Sequence, residues 1–224
     1  MEEPLFSGKI FAVGDIHGCL DKLENLMKRI PFNPENDLIV FLGDYINRGS
    51  ETRKVMDFLL EIEKIAAHAV FLLGNHEHSL LEYSKKPDPD DLRTLRLMGI
   101  ENTLECYGEK DARSLRDLLF MPENHRHFIR NLKPFFRTED YIFVHAGITP
   151  GLEPEKTRLD ALLNSRPHKM DMKDYIWKKQ TIVFGHTPFD TPFITENLIG
   201  IDTGAVYGNM LTAVELPEII FYHA

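Results

Sequence analysis

Leu38-Ile39-Val40-Phe41-Leu42-Gly43-Asp44-Tyr45-Ile46-Asn47-Arg48-Gly49 decides the fold. Its first five residues are an unbroken apolar run, the pattern of a strand covered on both faces. Gly-Asp then ends the run, and Val55, Phe58, Leu59, Ile62 and Ile65 follow at the spacing of one helical face. Upstream, residues 9–13 read as a strand ending in Gly14-Asp15-Ile16-His17-Gly18, and Leu20, Leu23, Leu26, Met27 and Ile30 make the next helical stripe. Downstream, residues 69–73 read as a third strand, ending in Gly74-Asn75-His76-Glu77. The order is β-α-β-α-β with a parallel sheet, an α/β fold in which each polar motif sits where such sheets place ligands. Asp15 precedes Asp44 by 29 residues and Asp44 precedes Asn75 by 31, each the length of one βαβ step.

Residues 79–133 turn helical and irregular, with turn signals at Lys86-Pro87-Asp88-Pro89-Asp90 and Met121-Pro122, and are expected to lie over the sheet as an insert. Strands resume at 141–144 and 181–184, ahead of His145-Ala146-Gly147 and Gly185-His186-Thr187, and a closing pair is expected at 198–201 and 211–216.

A chain of 224 residues with 43% hydrophobic content and no Pro/Gly/Ser linker supports one core, hence a single domain over 1–224. The net charge of -9 argues against nucleic acid, whose backbone demands clustered Lys and Arg. An acidic Met1-Glu2-Glu3-Pro4 opening and the lack of an apolar stretch of about 18 residues predict a cytoplasmic protein with no membrane partner. Cys19 and Cys106 match no zinc spacing and are expected to be reduced and structural.

Any one of the five motifs has an ordinary explanation: Asp or Asn beside Gly is turn or cap chemistry, and a lone strand-end His is usually structural. Together they bring two carboxylates, an amide oxygen, four imidazoles and a guanidinium to what should be one edge of one sheet. Such a concentration is costly to bury unless metal and phosphate neutralise it. The set suits a two-metal phosphoester hydrolase.

The same motifs resemble the phosphoprotein phosphatase family of the calcineurin-like metallophosphoesterases, with its G-D-x-H-G, G-D-x-x-D-R-G, G-N-H-E, H-G/A-G and G-H-T signature. The short chain and the ending Gly200-Ile201-Asp202-Thr203-Gly204-Ala205-Val206-Tyr207-Gly208 are most similar to compact bacterial and phage serine/threonine phosphatases. The resemblance implies a β-sandwich flanked by helices in αββα layers. It also implies Asp15 and His17 on a first metal, Asn75, His145 and His186 on a second, and Asp44 bridging the two. A water held between the metals would attack phosphorus directly. Mn²⁺ is the implied metal, and the oxygen and imidazole donors also admit Fe or Zn.

By the same resemblance Arg48 grips phosphate oxygens with its planar fork. Arg166 aligns with a second phosphate-binding arginine without its usual aromatic flank, the alternative being an exposed helix-end Arg. Tyr207 aligns with a substrate-facing tyrosine, the alternative being a packed ring, and His76 with the general acid. Glu77 is expected to tie down the loop. Asn47 departs from the pattern, standing where the family has the Asp that pairs with His76. Its amide oxygen is expected to accept the ring N–H without stabilising the imidazolium. Ser50, in place of Pro, is expected to cap the next helix.

The substrate expected first is a phosphoprotein or phosphopeptide. The alternatives are a symmetrical diadenosine tetraphosphate hydrolase, which shares all five motifs, and a phosphate-binding module weakened by Asn47.

Overall fold

The computed structural model describes residues 6–169 and 180–224. β1 (Ile10–Val13), α1 (Leu20–Arg29), β2 (Leu38–Phe41), α2 (Thr52–Ile65) and β3 (His68–Phe71) form the expected β-α-β-α-β unit, with β1–β2 and β2–β3 parallel. The helices α3 (Asn75–Lys85), α4 (Pro89–Leu97), α5 (Ile100–Cys106) and α6 (Glu123–Arg130) follow. α3 begins at Asn75, so Gly-Asn-His-Glu is itself the N-cap and first turn of that helix. Asp88 caps α4 by accepting the Asp90 N–H at 2.8 Å.

The rest of the chain supplies β4 (Phe135–Arg137), β5 (Tyr141–Val144), α7 (Leu159–Asn164), β6 (Thr181–Phe184), β7 (Phe193–Ile194), β8 (Leu198–Gly200), β9 (Thr212–Leu216) and β10 (Ile220–His223). Two mixed sheets result, ordered β10-β9-β1-β2-β3 and β4-β5-β6-β8-β7. The closing pair expected at 198–201 and 211–216 does not form. β8 runs parallel to β6 in the second sheet, whereas β9 runs antiparallel to β1 in the first and turns back into β10. Both segments are apolar enough for either sheet, so periodicity could not assign their partners.

Alternation along the strands explains the layering. Ile10, Ala12, Leu38, Val40, Leu42 and Val70 point one way and pack with Phe143, Val183, Ile199 and Val214 between the sheets. Their neighbours Phe11, Val13, Ile39, Phe41 and Phe71 point the other way, against α1, α2 and the insert. On the second sheet Ile142, Val144, Ile182 and Phe184 face Leu162 of α7. A strand with both faces buried has no polar alternate position, so the unbroken apolar runs and the helix-sheet-sheet-helix order have one cause.

α2 is preceded by Glu51 with no side-chain cap, so Ser50 does not cap it; the Ser50 carbonyl instead accepts the Cys106 thiol at 3.1 Å. Cys19 and Cys106 are free and half-buried. Among the described residues no helix is long and apolar enough to cross a membrane.

Candidate metal centre

Asp15 and His17 follow β1, Asp44 to Arg48 follow β2, Asn75 and His76 follow β3, His145 follows β5 and His186 follows β6. The centre thus lies at the carboxyl ends of strands from both sheets, which corrects the expectation of a single sheet edge. Backbone bonds join the first two loops: Asp44 O accepts both Ile16 N–H (3.1 Å) and His17 N–H (2.8 Å), and Tyr45 O accepts Gly18 N–H. Gly74 is obligatory for the third loop, since a Cβ there would stand 2.2 Å from Asp44 Oδ1.

Five non-glycine residues of these loops adopt positive φ: His17 (44°), Asp44 (54°), Asn47 (71°), Arg48 (66°) and His186 (63°). Each such residue costs on the order of 1–3 kcal/mol and persists only where its surroundings over-determine it. Glu77 supplies much of that constraint. Fully buried, it accepts the N–H groups of Asp44 (3.0 Å) and Gly74 (3.2 Å) on Oε2 and those of Tyr45 (2.9 Å) and Ile46 (3.1 Å) on Oε1. It ties the loop down as expected.

Two groups of donor atoms form around Asp44, each with its atoms within 4.8 Å of one another: His17, Asp44 and His76, and Asp44, His145 and His186. The two carboxylate oxygens divide between them. Oδ2 lies 3.4 Å from His17 Nε2 and 3.8 Å from His76 Nε2, while Oδ1 lies 3.6 Å from His145 Nε2. Asn75 Oδ1 joins the second group, 3.0 Å from His145 Nε2 and 3.1 Å from His186 Nδ1. Asp15 lies beside the second group, its two oxygens each 3.1 Å from the His186 N–H and its charge felt together with that of Asp44.

The protonation pattern suits cations. His17 Nδ1 donates to Ile46 O (2.8 Å) and His145 Nδ1 to Leu42 O (2.9 Å), leaving both Nε2 lone pairs aimed inward. Burial lowers His17 and His186 to about 3 and His145 to about 4, so all three rings are neutral. Burial likewise raises Asp44 to about 7 and Asp202 to about 6, and holds Asp15 well above the usual carboxylate range. Lone pairs face lone pairs and carboxylates crowd together. Divalent cations relieve both, and imidazole with oxygen donors and no thiolate fits Mn, Fe or Zn.

Arg48 donates to His17 Nε2 at 2.6 Å and lies over the Tyr207 ring, 5.4 Å from its centroid. Tyr207, 63% exposed, is thus neither packed in the core nor remote from the centre. Arg166 is exposed just beyond α7, near enough for its charge to help lower His186. The Asn47 amide is reversed from expectation: Nδ2 donates to His76 Nδ1 at 2.9 Å, because Oδ1 is taken by the Thr103 hydroxyl at 2.9 Å.

Sequence reasoning missed Asp202 and Thr103. Asp202 is buried with its charge felt by both Asp15 and Asp44, and Oδ1 accepts the Gly204 N–H at 2.9 Å. It follows the apolar end of β8 as Asp15 and Asp44 follow theirs, a signal that was available. Thr103 lies in the insert, where no spacing marks it.

The sequence model of the calcineurin-like phosphoesterase family matches residues 8–209. An asymmetrical bis(5'-nucleosyl)-tetraphosphatase of Bacillus velezensis is 31% identical over 92% of this chain and 88% of its own. A symmetrical bis(5'-nucleosyl)-tetraphosphatase of Xanthomonas euvesicatoria is also 31% identical, over 63% of this chain and 39% of its own. A crystal structure assigned provisionally as a diadenosine tetraphosphatase superposes with a TM-score of 0.76 and 22% identity over 99% of this chain and 95% of that one. With its two mixed sheets, flanking helices and Asp44-centred donor groups, the chain belongs to the calcineurin-like phosphoesterase family.

Proposed function

We propose that this phosphoesterase hydrolyses dinucleoside tetraphosphates, dividing the phosphate bridge unequally, and that phosphoproteins are not its main substrates. One observation carries the choice: the Asn47 amide donates to His76 Nδ1. A neutral imidazole has one N–H and one lone pair. With Nδ1 accepting, the proton sits on Nε2, which faces Asp44 and the centre. That N–H can hydrogen-bond a departing oxygen, but the ring has no second proton to give away. A serine alkoxide is a strong base that needs protonation as it leaves. A phosphate leaving group, with a second pKa of about 6, does not.

The asymmetrical relative supports the same reading, because its match spans nearly all of both chains, whereas the symmetrical one shares only part of its length. Asp44 would be shared by two divalent cations, with His17 on one side and Asn75, His145 and His186 on the other; Mn²⁺ is the proposed metal. Such ions acidify water and neutralise charge on the phosphoryl oxygens. Arg48 orients the phosphate with its planar fork, and the loop bonds of Glu77 hold Asp44 in place. Tyr207 and Arg166 flank the approach on the exposed side.

Incubation with diadenosine tetraphosphate and Mn²⁺, followed by ion-exchange separation of the products, tests this. Equal amounts of ATP and AMP are expected. ADP alone would make the cleavage symmetrical, and no consumption beside rapid turnover of a phosphopeptide would overturn the reading.

A further inference from the structure

One face of the insert grips the phosphate loop. Gly99, Asn102, Thr103 and Cys106 recur at three- and four-residue steps along α5 and the corner before it, so they share a side. Each bonds to the segment after β2. Gly99 O accepts the Arg48 N–H (3.4 Å), Asn102 Nδ2 donates to Arg48 O (2.6 Å), and the Cys106 thiol donates to Ser50 O (3.1 Å). Thr103 Oγ1 accepts the Asn47 backbone N–H and donates to the Asn47 side-chain oxygen, both at 2.9 Å. Gly99 makes this approach possible: its φ is 87°, and a Cβ there would stand 3.0 Å from Arg48 N.

We infer that Thr103 is a positioning residue which, through the Asn47 amide, fixes the proton of His76 on Nε2 and thereby sets which leaving groups the site accepts. A hydroxyl has a single proton. With the lone pairs of Oγ1 already receiving the Asn47 N–H, that proton goes to Asn47 Oδ1, and Nδ2 is left to face His76. Turning the amide over would place Nδ2 against Thr103 Oγ1. The hydroxyl proton would then have only Thr52 Oγ1, at 3.5 Å, beyond the usual range for O–H···O bonds. Bulk solvent does not reach these groups, because Asn47, Thr52 and Thr103 are all fully buried and His76 is 1% exposed. The orientation is decided by one side chain on an element outside the signature motifs.

The inference rests on phosphoester hydrolysis at this centre but not on the nucleotide as substrate. Its test therefore uses two monoesters: p-nitrophenyl phosphate, whose phenolate leaves without protonation, and a phosphoserine peptide, whose alkoxide does not. Thr103→Val keeps the shape of the side chain and removes the hydroxyl; Thr103→Ser keeps the hydroxyl. In the full chain with Mn²⁺, Thr103→Val is expected to lower kcat on p-nitrophenyl phosphate by on the order of tenfold, a fraction of the effect of losing one transition-state donor. KM should hold, because Thr103 lies behind Asn47, and the phosphoserine rate should fall less, because a ring with its single proton on Nε2 gives that alkoxide little help to lose. Thr103→Ser should restore both rates. Imidazole ¹⁵N spectra of the wild-type protein should show His76 Nδ1 without a proton, and Thr103→Val should shift that signal toward the protonated form. Equal losses on both esters with an unchanged ring signal would reduce Thr103 to a structural role and overturn the inference. So would a proton on Nδ1 in the wild type, a result that stands even if Thr103→Val does not fold. Failure to cleave diadenosine tetraphosphate would leave these outcomes untouched.

Discussion

His145 Nε2 lies 3.0 Å from Asn75 Oδ1 with no proton to share, because the ring is neutral and its N–H is donated to Leu42 O. Two lone pairs at that distance repel unless a cation sits against both. Mn²⁺ titrated into chelator-treated protein is therefore expected to bind at two sites and to raise Tm, with a stabilisation of about 2.7 kcal/mol from each site at a hundredfold excess over its Kd. Asp44→Asn, which weakens the carboxylate shared by both groups, should abolish the coupling between the two ions in electron paramagnetic resonance and lower turnover by about 10³-fold.

The titration of the carboxylates gives metal binding a pH dependence of definite sign. Asp44 is raised to about 7 and Asp202 to about 6, so at pH 6 Asp44 is mostly and Asp202 about half protonated, and a cation at the centre displaces those protons. The imidazoles, lowered to about 3 and 4, are already deprotonated and release none. Calorimetry in buffers of different ionisation enthalpy should show about one proton or more released per protein at pH 6, falling toward none by pH 8, with Mn²⁺ affinity rising over the same interval. For the metal-free protein the signs oppose. The imidazoles contribute stability that is present above pH 6.5 and is lost as pH falls through about 4 to 3. The raised carboxylates contribute stability that is present below about 4 and is lost as pH rises through 6 to 7.

The sequence disclosed the first three strands and the motif positions, because each depends on local patterns: a run buried on both faces, a Gly-Asp stop and the spacing of a βαβ step. The pairing of β8 with β6 and of β9 with β1 was hidden, since apolar runs of similar length compete for either sheet. The Asn47 amide was misread for another reason. Which end of it faces His76 is decided by Thr103, 56 residues away in sequence and adjacent only through the fold. The segment 151–179 carries no motif to read, and its residues 170–179 lie outside the described residues.

Glu77 offers a test of how the loops are held. Its two oxygens accept four backbone N–H groups, and Glu77→Gln would turn an amide NH₂ toward two of those donors. Losing two buried bonds should cost about 3 kcal/mol in urea unfolding of the metal-free protein, and activity should fall because Asp44 loses its fixed φ. A stability unchanged from wild type would contradict the assignment.

Asn47→Asp should reverse the donor at His76. A carboxylate can only accept, so the ring proton moves to Nδ1 and the imidazolium gains a counter-charge. Turnover of a phosphoserine peptide is expected to rise relative to p-nitrophenyl phosphate by about tenfold, and the alkaline limb of the rate profile should move to higher pH. Superimposable profiles with equal changes on both esters would remove the dyad argument.

The most direct test of the account is the ratio of kcat/KM for diadenosine tetraphosphate to that for a phosphoserine peptide, measured on the wild-type chain with Mn²⁺ at one pH. A centre whose His76 presents an N–H but no transferable second proton should favour the anhydride by at least about 10²-fold, the lower range of what general acid catalysis supplies to a poor leaving group. Comparable values, or a preference for the phosphopeptide, would contradict it.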